Sequence, residues 1–220
     1  MGEIRIGTRA EQVTGQARKQ LLTDEQVRAA IAAAFEIEDD GHFGRLVLLA
    51  AATGARYSQL AQLRVENVQA AQFRVHIPGS HKGRTATARP PVAVPLSRDV
   101  LAHLTPILVD REPDAPLLRR WAYRNAGPIK WVKHELRGLG AACEIDRQWA
   151  ASIARAELPA GTIMYAFRHS SIVRGLRAGL PVRLVASLHD TSTEMIEKHY
   201  SAFIVDMTED LARRAMLSFA

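Results

Sequence analysis

The pattern of apolar and polar positions along the chain predicts a mainly helical fold with a small sheet. Apolar residues recur at helical spacing in about nine segments. Residues 73–77 and 92–96 instead alternate apolar with polar side chains, which is typical of half-buried strands. Pro78, Gly79 and Gly83 favour a turn between them. The predicted fold class is therefore mainly α (α+β), with these two segments paired as a small antiparallel β-hairpin.

Local sequence signals mark the first helices. Thr23 and Gln26 have the spacing of a capping box, so a helix is predicted to begin at Asp24. Residues 42–52 form an almost continuous apolar run that is too long for a usual strand, which predicts a buried helix. Gly54 follows where a helix end favours a left-handed residue. Arg56 is thereby placed in the joint between this helix and a short one after it.

A further helix is predicted from Pro128 to about residue 139. Its apolar residues fall on one side, and proline is well suited to a first helical turn. Lys130, Lys133 and Arg137 fall on another face, and together with Arg84 in the hairpin they are candidate contacts to a DNA backbone. A charged helix face is also typical of a plain solvated surface, and this alternative stays open.

The chain divides into three parts by pattern. Residues 1–20 carry glycines and scattered charges without an apolar period, which is typical of a flexible lead or linker. Residues 21–205 suit one compact domain. Residues 206–220 form an amphipathic C-terminal helix whose apolar face needs a partner, either the domain's own core or a neighbouring copy.

Composition narrows the function classes. A net charge of +6 and a sequence pI near 9.9 favour a polyanionic partner, although an arginine-rich chain is equally consistent with compositional bias. The single Cys143 excludes an internal disulfide and a cysteine-based zinc site. No run of about 18 apolar residues is present to span a membrane. A cytoplasmic, nucleoid-associated protein is expected.

Five side chains carry the candidate chemistry. Arginine forks bind phosphate oxygens, an ammonium can protonate a leaving oxygen, and a phenol can become a covalent nucleophile. Each residue also has a plain alternative, because a turn arginine or lysine is usually solvated and a tyrosine is often a core residue. The set is Arg56, Lys82, Arg168, His189 and Tyr200.

The order of these residues resembles the catalytic domain of the tyrosine recombinase, or phage integrase, family. The resemblance covers roughly residues 21–205. It consists of an ordered series of motifs: Thr53-Gly54-Ala55-Arg56 between two helices, Lys82 in a hairpin, Tyr165-Ala-Phe-Arg168-His169, His189 at a helix end, and Tyr200 eleven residues later.

The resemblance implies DNA cleavage and rejoining without a metal, a cofactor or ATP. Tyr200 would attack the scissile phosphate, forming a 3′-phosphotyrosyl link while a 5′-hydroxyl leaves. Arg56 and Arg168 would clamp the two non-bridging oxygens, and Lys82 would protonate the leaving oxygen. His189 would donate a hydrogen bond to the phosphate. The implied partners are double-stranded DNA and, through the C-terminal helix, further copies in a tetramer.

Three positions depart from the family's usual residues. Tyr165 stands where the family usually has histidine, the presumed base toward the nucleophile, and a phenol with a pKa near 10 is a poor base at neutral pH. Gln59 replaces a glutamate and Leu188 replaces a glycine. His169 is expected to be a buried hydrogen-bonding residue that supports the site, as is Gln59. The family also has an N-terminal helical domain, so this chain is expected to be a fragment.

Three functions fit these observations. The first is a site-specific DNA recombinase of the integrase type. The second is a strand relaxase similar to type IB topoisomerases, and the third is a DNA-binding module of the same fold with weakened catalysis. Tyr165 and Gln59 are the residues that favour the third hypothesis.

Overall fold

The computed structural model describes residues 20–80, 89–128, 130–214 and 216. In this part of the chain, eight α-helices and two small antiparallel sheets form the fold. The helices are α1 Asp24–Ile37, α2 His42–Thr53, α3 Tyr57–Leu60, α4 Arg98–Leu104, α5 Asp146–Arg155, α6 Ala166–Arg177, α7 Val182–Leu188 and α8 Thr193–Arg214. The strands are β1 Val68–Gln69, β2 Arg74–Ile77, β3 Val92–Pro95, β4 Arg119–Asn125 and β5 Trp131–Gly138. The predicted fold class is confirmed.

The first helices begin and end where the sequence signals predict. The Thr23 hydroxyl accepts a hydrogen bond from the Gln26 N–H, and the Gln26 side-chain oxygen accepts one from the Thr23 N–H, which completes the capping box of α1. Helix α2 is buried along most of its length and lies in the main core. Helices α1 and α6 both pack against α2, so α2 is the central helix of the domain.

The predicted hairpin is part of a three-stranded sheet. Strands β2 and β3 pair antiparallel with Val75 opposite Val94, as expected, and the short β1 adds to the other edge of β2. Val75, Ile77 and Val94 are buried, so the apolar face of the sheet covers the core. Residues 81–88, including Lys82 and Arg84, lie outside the described residues.

The prediction of a helix from Pro128 is wrong, because residues 131–138 form β5 and pair with β4. A register shift beside Ala122 and Tyr123 gives β5 one unpaired residue, which breaks the simple alternation that marks a strand. The apolar positions that result fit helical spacing by chance. Pro128 lies in the turn, where Lys130 donates a backbone hydrogen bond to Gly127 at 3.1 Å.

Helix α8 contains a break at Tyr200. Its backbone angles there, φ −132° and ψ 15°, are not helical, so α8 consists of two helical segments that meet at this residue. A second apolar cluster, distinct from the main core, packs the first segment against α6 and α7 through Ile172, Val185 and Ile196. The break separates the segment before Tyr200 from the segment of the predicted C-terminal helix. None of the described helices has the length and hydropathy needed to cross a bilayer.

Candidate active site

Gly54 brings the end of α2 against α7. Its φ of +62° lies in the left-handed region, and its N–H donates to the Ala50 carbonyl at 3.0 Å, as the sequence predicts for a helix end. A Cβ at this position would lie 2.8 Å from the His189 ring. Glycine is therefore required for both the backbone angle and the close approach of α7.

Arg168 is held in the interior by backbone carbonyls. It is 3% exposed, and its guanidinium donates to the Gly54 carbonyl at 3.0 Å and to the His189 carbonyl. Burial, with a further contribution from the charge of Arg56, lowers the pKa of Arg168 to about 10. The guanidinium is thus charged at neutral pH and fixed at the meeting point of α2, α6 and α7.

Arg56 reaches the same place from the joint before α3. Both of its terminal nitrogens lie 3.5 Å from the Asp190 carbonyl, and one lies 3.5 Å from the Asp190 carboxylate. Its side chain is about one-fifth exposed, so it lies at the mouth of the site while Arg168 forms the floor. These 3.5 Å contacts are long for hydrogen bonds, which leaves the fork able to bind an anion.

Asp190 is a site residue that the sequence reasoning missed. It has a positive φ of 46° and is buried, and its carboxylate accepts hydrogen bonds from the Ser80 N–H at 2.8 Å and from Arg89 at 3.2 Å. Burial raises the pKa of this carboxyl, but the bonds from Ser80 and Arg89 and the charge of Arg56 lower it overall. Ser80 and Arg89 flank the undescribed residues 81–88, so Asp190 joins Arg56 to the two residues on either side of that segment.

Gln59 connects this carboxylate to the helix joint. Its amide oxygen accepts from the Arg56 N–H at 3.1 Å, and its amide nitrogen donates to the Pro78 carbonyl at 2.8 Å and to Asp190 at 3.2 Å. A glutamate here could not make the two donor contacts. The departure at position 59 was therefore a signal for hydrogen-bond acceptors nearby, because a buried amide donor needs an acceptor.

His189 has both ring nitrogens engaged. Nδ1 donates to the Val185 carbonyl at 2.8 Å, so Nε2 accepts from the Ser171 hydroxyl at 2.9 Å. Burial is the main reason that the pKa of His189 is lowered to about 4, and Arg168 and Arg56 lower it further. A neutral ring in this tautomer orients α7. The predicted hydrogen bond from His189 to a phosphate would need the Ser171 contact to change, and it stays a prediction.

Tyr200 lies beside His169 at the break in α8. The phenol oxygen contacts His169 Nδ1, and the two ring centroids are 5.7 Å apart. Tyr200 is 8% exposed, and the histidine that it contacts directly follows the buried Arg168 on α6. Tyr165, the N-cap residue of α6, is 40% exposed and meets the His169 ring edge-on at 5.0 Å.

Three of the four predicted DNA-contact residues lie on the β4–β5 hairpin, and the fourth, Arg84, is outside the described residues. Lys133 forms an ion pair with Asp40 at 3.2 Å, and Arg137 forms one with Glu144 at 2.9 Å, while Lys130 is exposed near the turn. Burial raises the pKa of Tyr57, and the charge of Glu144 raises it further. Because Tyr57 directly follows Arg56, the base of the hairpin lies near the arginine site. Among the described residues, no group of three or more histidine, cysteine or acidic side chains is arranged to hold a metal ion.

Solved structures share this fold at low sequence identity. XerA recombinase has 16% identity and a TM-score of 0.60 over 90% of this chain, which spans 64% of the XerA chain. The catalytic domain of bacteriophage HP1 integrase has 18% identity and a TM-score of 0.56, over 90% of this chain and 96% of that domain. Tn1549 transposon integrase, in complex with circular intermediate DNA, has 14% identity and a TM-score of 0.57, over 89% and 67% of the two chains.

Comparison with protein-family models and with curated protein sequences gives no match. The likeness is thus one of architecture, and it covers most of the chain. The structure brings the predicted Arg56, Arg168 and His189 together, and the predicted Tyr200 contacts the residue that follows Arg168. The chain has the fold of a tyrosine recombinase catalytic domain.

Proposed function

We propose that this chain cuts and rejoins DNA strands as a site-specific recombinase of the integrase type, through a 3′-phosphotyrosyl intermediate. The observation that carries the proposal is the meeting of two guanidinium groups, from Arg56 and Arg168, at the carbonyls of His189 and Asp190, with the Tyr200 phenol against the residue that follows Arg168. The solved integrase and recombinase structures of the same fold support it.

The two arginines would bind the non-bridging oxygens of the scissile phosphate. Because the buried Arg168 is already fixed by two carbonyls, it needs little reorganisation as charge grows in the transition state. Arg56 would complete the clamp from the mouth of the site. Each such preorganised donor contributes about 3 kcal/mol to transition-state binding.

Tyr200 would attack phosphorus, and Lys82 would give a proton to the leaving 5′-oxygen. Lys82 lies between Ser80 and Arg89 in sequence, and both of those residues bind Asp190. The ends of the segment that carries the lysine are therefore tied to the arginine site. The phosphotyrosyl bond conserves the energy of the broken phosphodiester, so neither ATP nor a metal is required for rejoining.

The β4–β5 hairpin would contact the duplex beside the cleavage site. Its cations Lys130, Lys133 and Arg137, with Arg84 of the undescribed segment, would neutralise phosphates and add a salt-dependent part to the affinity. The hairpin is a two-stranded ribbon rather than the predicted helix, and a ribbon of this kind also fits the DNA major groove.

Assembly on DNA completes the proposal. Residues 206–220 would exchange between copies in a tetramer, acting in the cytoplasm at the nucleoid. Sedimentation of the protein with duplex DNA, compared with a chain that ends at residue 205, tests this part. Loss of the tetramer on DNA with the shorter chain is the expected result, and equal sedimentation of both would contradict it.

A suicide DNA substrate tests the reaction itself. The expected result is a covalent protein–DNA adduct with the wild-type chain and none with Tyr200→Phe, while both bind DNA. Tyr123→Phe, the same change at an exposed tyrosine, is the control and should form the adduct. Equal, adduct-free lanes under conditions of DNA binding would favour the binding module, and plasmid relaxation without recombination of paired sites would favour the relaxase.

A further inference from the structure

The histidine after Arg168 is placed to receive the proton of the proposed nucleophile. His169 Nδ1 contacts the Tyr200 hydroxyl, and both residues are more than nine-tenths buried. The contact joins side chains 31 residues apart, from α6 and from the break in α8. A bond of this kind fixes the direction in which the hydroxyl proton can leave.

Tyr165 is less suited to this role, although it occupies the position where the resembling family has its presumed base. A phenol is protonated at neutral pH and would have to lose its own proton first. The Tyr165 ring is 40% exposed and packs edge-on against the His169 ring, at an interplanar angle of 77°. Its packing orients the imidazole from the solvent side.

We propose that His169 is a catalytic residue whose Nδ1 accepts the Tyr200 hydroxyl proton as the phenol oxygen attacks phosphorus. This inference rests on the proposed strand-cleavage reaction. One oxygen–phosphorus bond forms, the bond from phosphorus to the 5′-oxygen breaks, and that oxygen takes a proton from Lys82. In rejoining, the 5′-hydroxyl returns its proton to the neutral Lys82 as its oxygen attacks phosphorus, the bond from phosphorus to the phenol oxygen breaks, and His169 returns its proton to that oxygen. No oxidant, metal or further reactant is consumed.

The charges around His169 depend on whether DNA is bound. Arg168 precedes it on α6, and both lie within the first four residues of that helix, where the helix dipole opposes a cation. A bound phosphate would supply the negative charge that an imidazolium needs at this place. Proton transfer is therefore coupled to the presence of DNA.

The leaving group distinguishes the two proton-transfer roles. A suicide DNA with a sulfur in place of the scissile 5′-oxygen has a leaving group that needs no protonation. Its cleavage therefore does not need the acid, Lys82, but still needs the base, His169. We expect His169→Ala to slow adduct formation by about 100-fold on both the oxygen and the sulfur substrate. Lys82→Ala should be slow on the oxygen substrate and close to wild type on the sulfur substrate.

Two further readouts separate catalysis from folding. Added imidazole should raise the rate of adduct formation by His169→Ala at least about tenfold, because it can fill the space left by the side chain and accept the proton. The rate of His169→Gln, which keeps most of the side-chain volume, should keep rising with pH where the wild-type rate levels off. His103→Ala, a histidine exposed on α4, is the matched control and should react like wild type.

Several outcomes would overturn the inference. One is a rate of adduct formation by His169→Ala within about threefold of the wild-type rate. Another is a slow His169→Ala whose rate returns to that of wild type on the sulfur substrate. A third is a slow Tyr165→Phe together with a normal His169→Ala. A folded His169→Gln with a wild-type pH profile would also end it. Failure of the proposed function looks different, because the wild-type chain itself would then form no adduct with either substrate.

Discussion

The cations of this protein gather in two regions that are built in opposite ways. At the candidate site, Arg168 is buried and bound to backbone carbonyls, and Arg56 lies close to a buried carboxylate. On the β4–β5 hairpin, Lys133 and Arg137 are about half exposed and paired with carboxylates. Fixed, desolvated donors act on one phosphate with large effect, whereas exposed cations each add a small, salt-screened amount. The following predictions test that contrast, from the largest expected effect to the smallest.

Arg168→Lys should slow adduct formation at saturating DNA by about 1,000-fold. Lysine keeps the charge but loses the fork that spans the Gly54 and His189 carbonyls while facing the phosphate. Single-turnover kinetics with a suicide substrate provides the measurement. Arg174→Lys, the same change on the exposed side of the same helix, is the control, and an equal effect of both would break the contrast.

Acidification should destabilise the site through His189. Its pKa in the folded protein is about 4, below the ordinary 6.5, so the unfolded chain takes up the proton first as the pH falls. The contribution of the neutral His189 to the free energy of unfolding is complete above pH 6.5. It is lost as the pH falls from 6.5 to 4, by about 3 kcal/mol in total. Urea unfolding at a series of pH values measures it. In His189→Gln this pH dependence should be weaker, and an identical slope would contradict the assignment.

Asp190→Asn should slow adduct formation by about 30-fold, corresponding to about 2 kcal/mol. The change removes the charge near Arg56 and places an amide donor against the Ser80 N–H and the Gln59 amide. Combining it with Gln59→Glu returns a carboxylate beside Arg56. We expect this double variant to form the adduct about tenfold faster than Asp190→Asn alone. Asp99→Asn, on the exposed start of α4, is the control. A double variant slower than Asp190→Asn would show that a carboxylate at position 59 cannot replace the carboxylate at position 190.

Lys130→Ala should have the smallest effect. Loss of one exposed phosphate contact is expected to lower the slope of log affinity against log salt by about 1, equally for all DNA sequences. Fluorescence anisotropy with labelled duplexes at several salt concentrations measures the slope. Arg28→Ala on α1 is the control for a lost surface cation. A change in sequence preference rather than in salt dependence would assign Lys130 to base recognition.

The site was predictable where short local signals determined the backbone. The capping box at Thr23 and the glycine at the end of α2 are effects of nearest neighbours, and they place Arg56 without long-range information. The order of the motifs then indicated which distant residues converge. In the structure, Arg56 and Arg168 contact the adjacent carbonyls of Asp190 and His189, and Tyr200 contacts the residue that follows Arg168.

Other features depend on partners that are far away in sequence. The β5 strand was mistaken for a helix because its register shift is set by pairing with β4. Asp190 was missed because its role comes from Ser80 and Arg89, more than one hundred positions earlier. The contact between His169 and Tyr200 likewise depends on how α6 and α8 pack. Such contacts are tertiary and leave no local pattern.

The break in α8 separates two tasks of one helix. The segment up to Tyr200 is held by Ile196 in the second apolar cluster, which fixes where the phenol stands. The segment after it is not bound to the same axis, because the helical angles are interrupted at the tyrosine. Phe203 and Ile204 of this later segment still pack against the same cluster, so the two segments share one apolar anchor but not one helix axis.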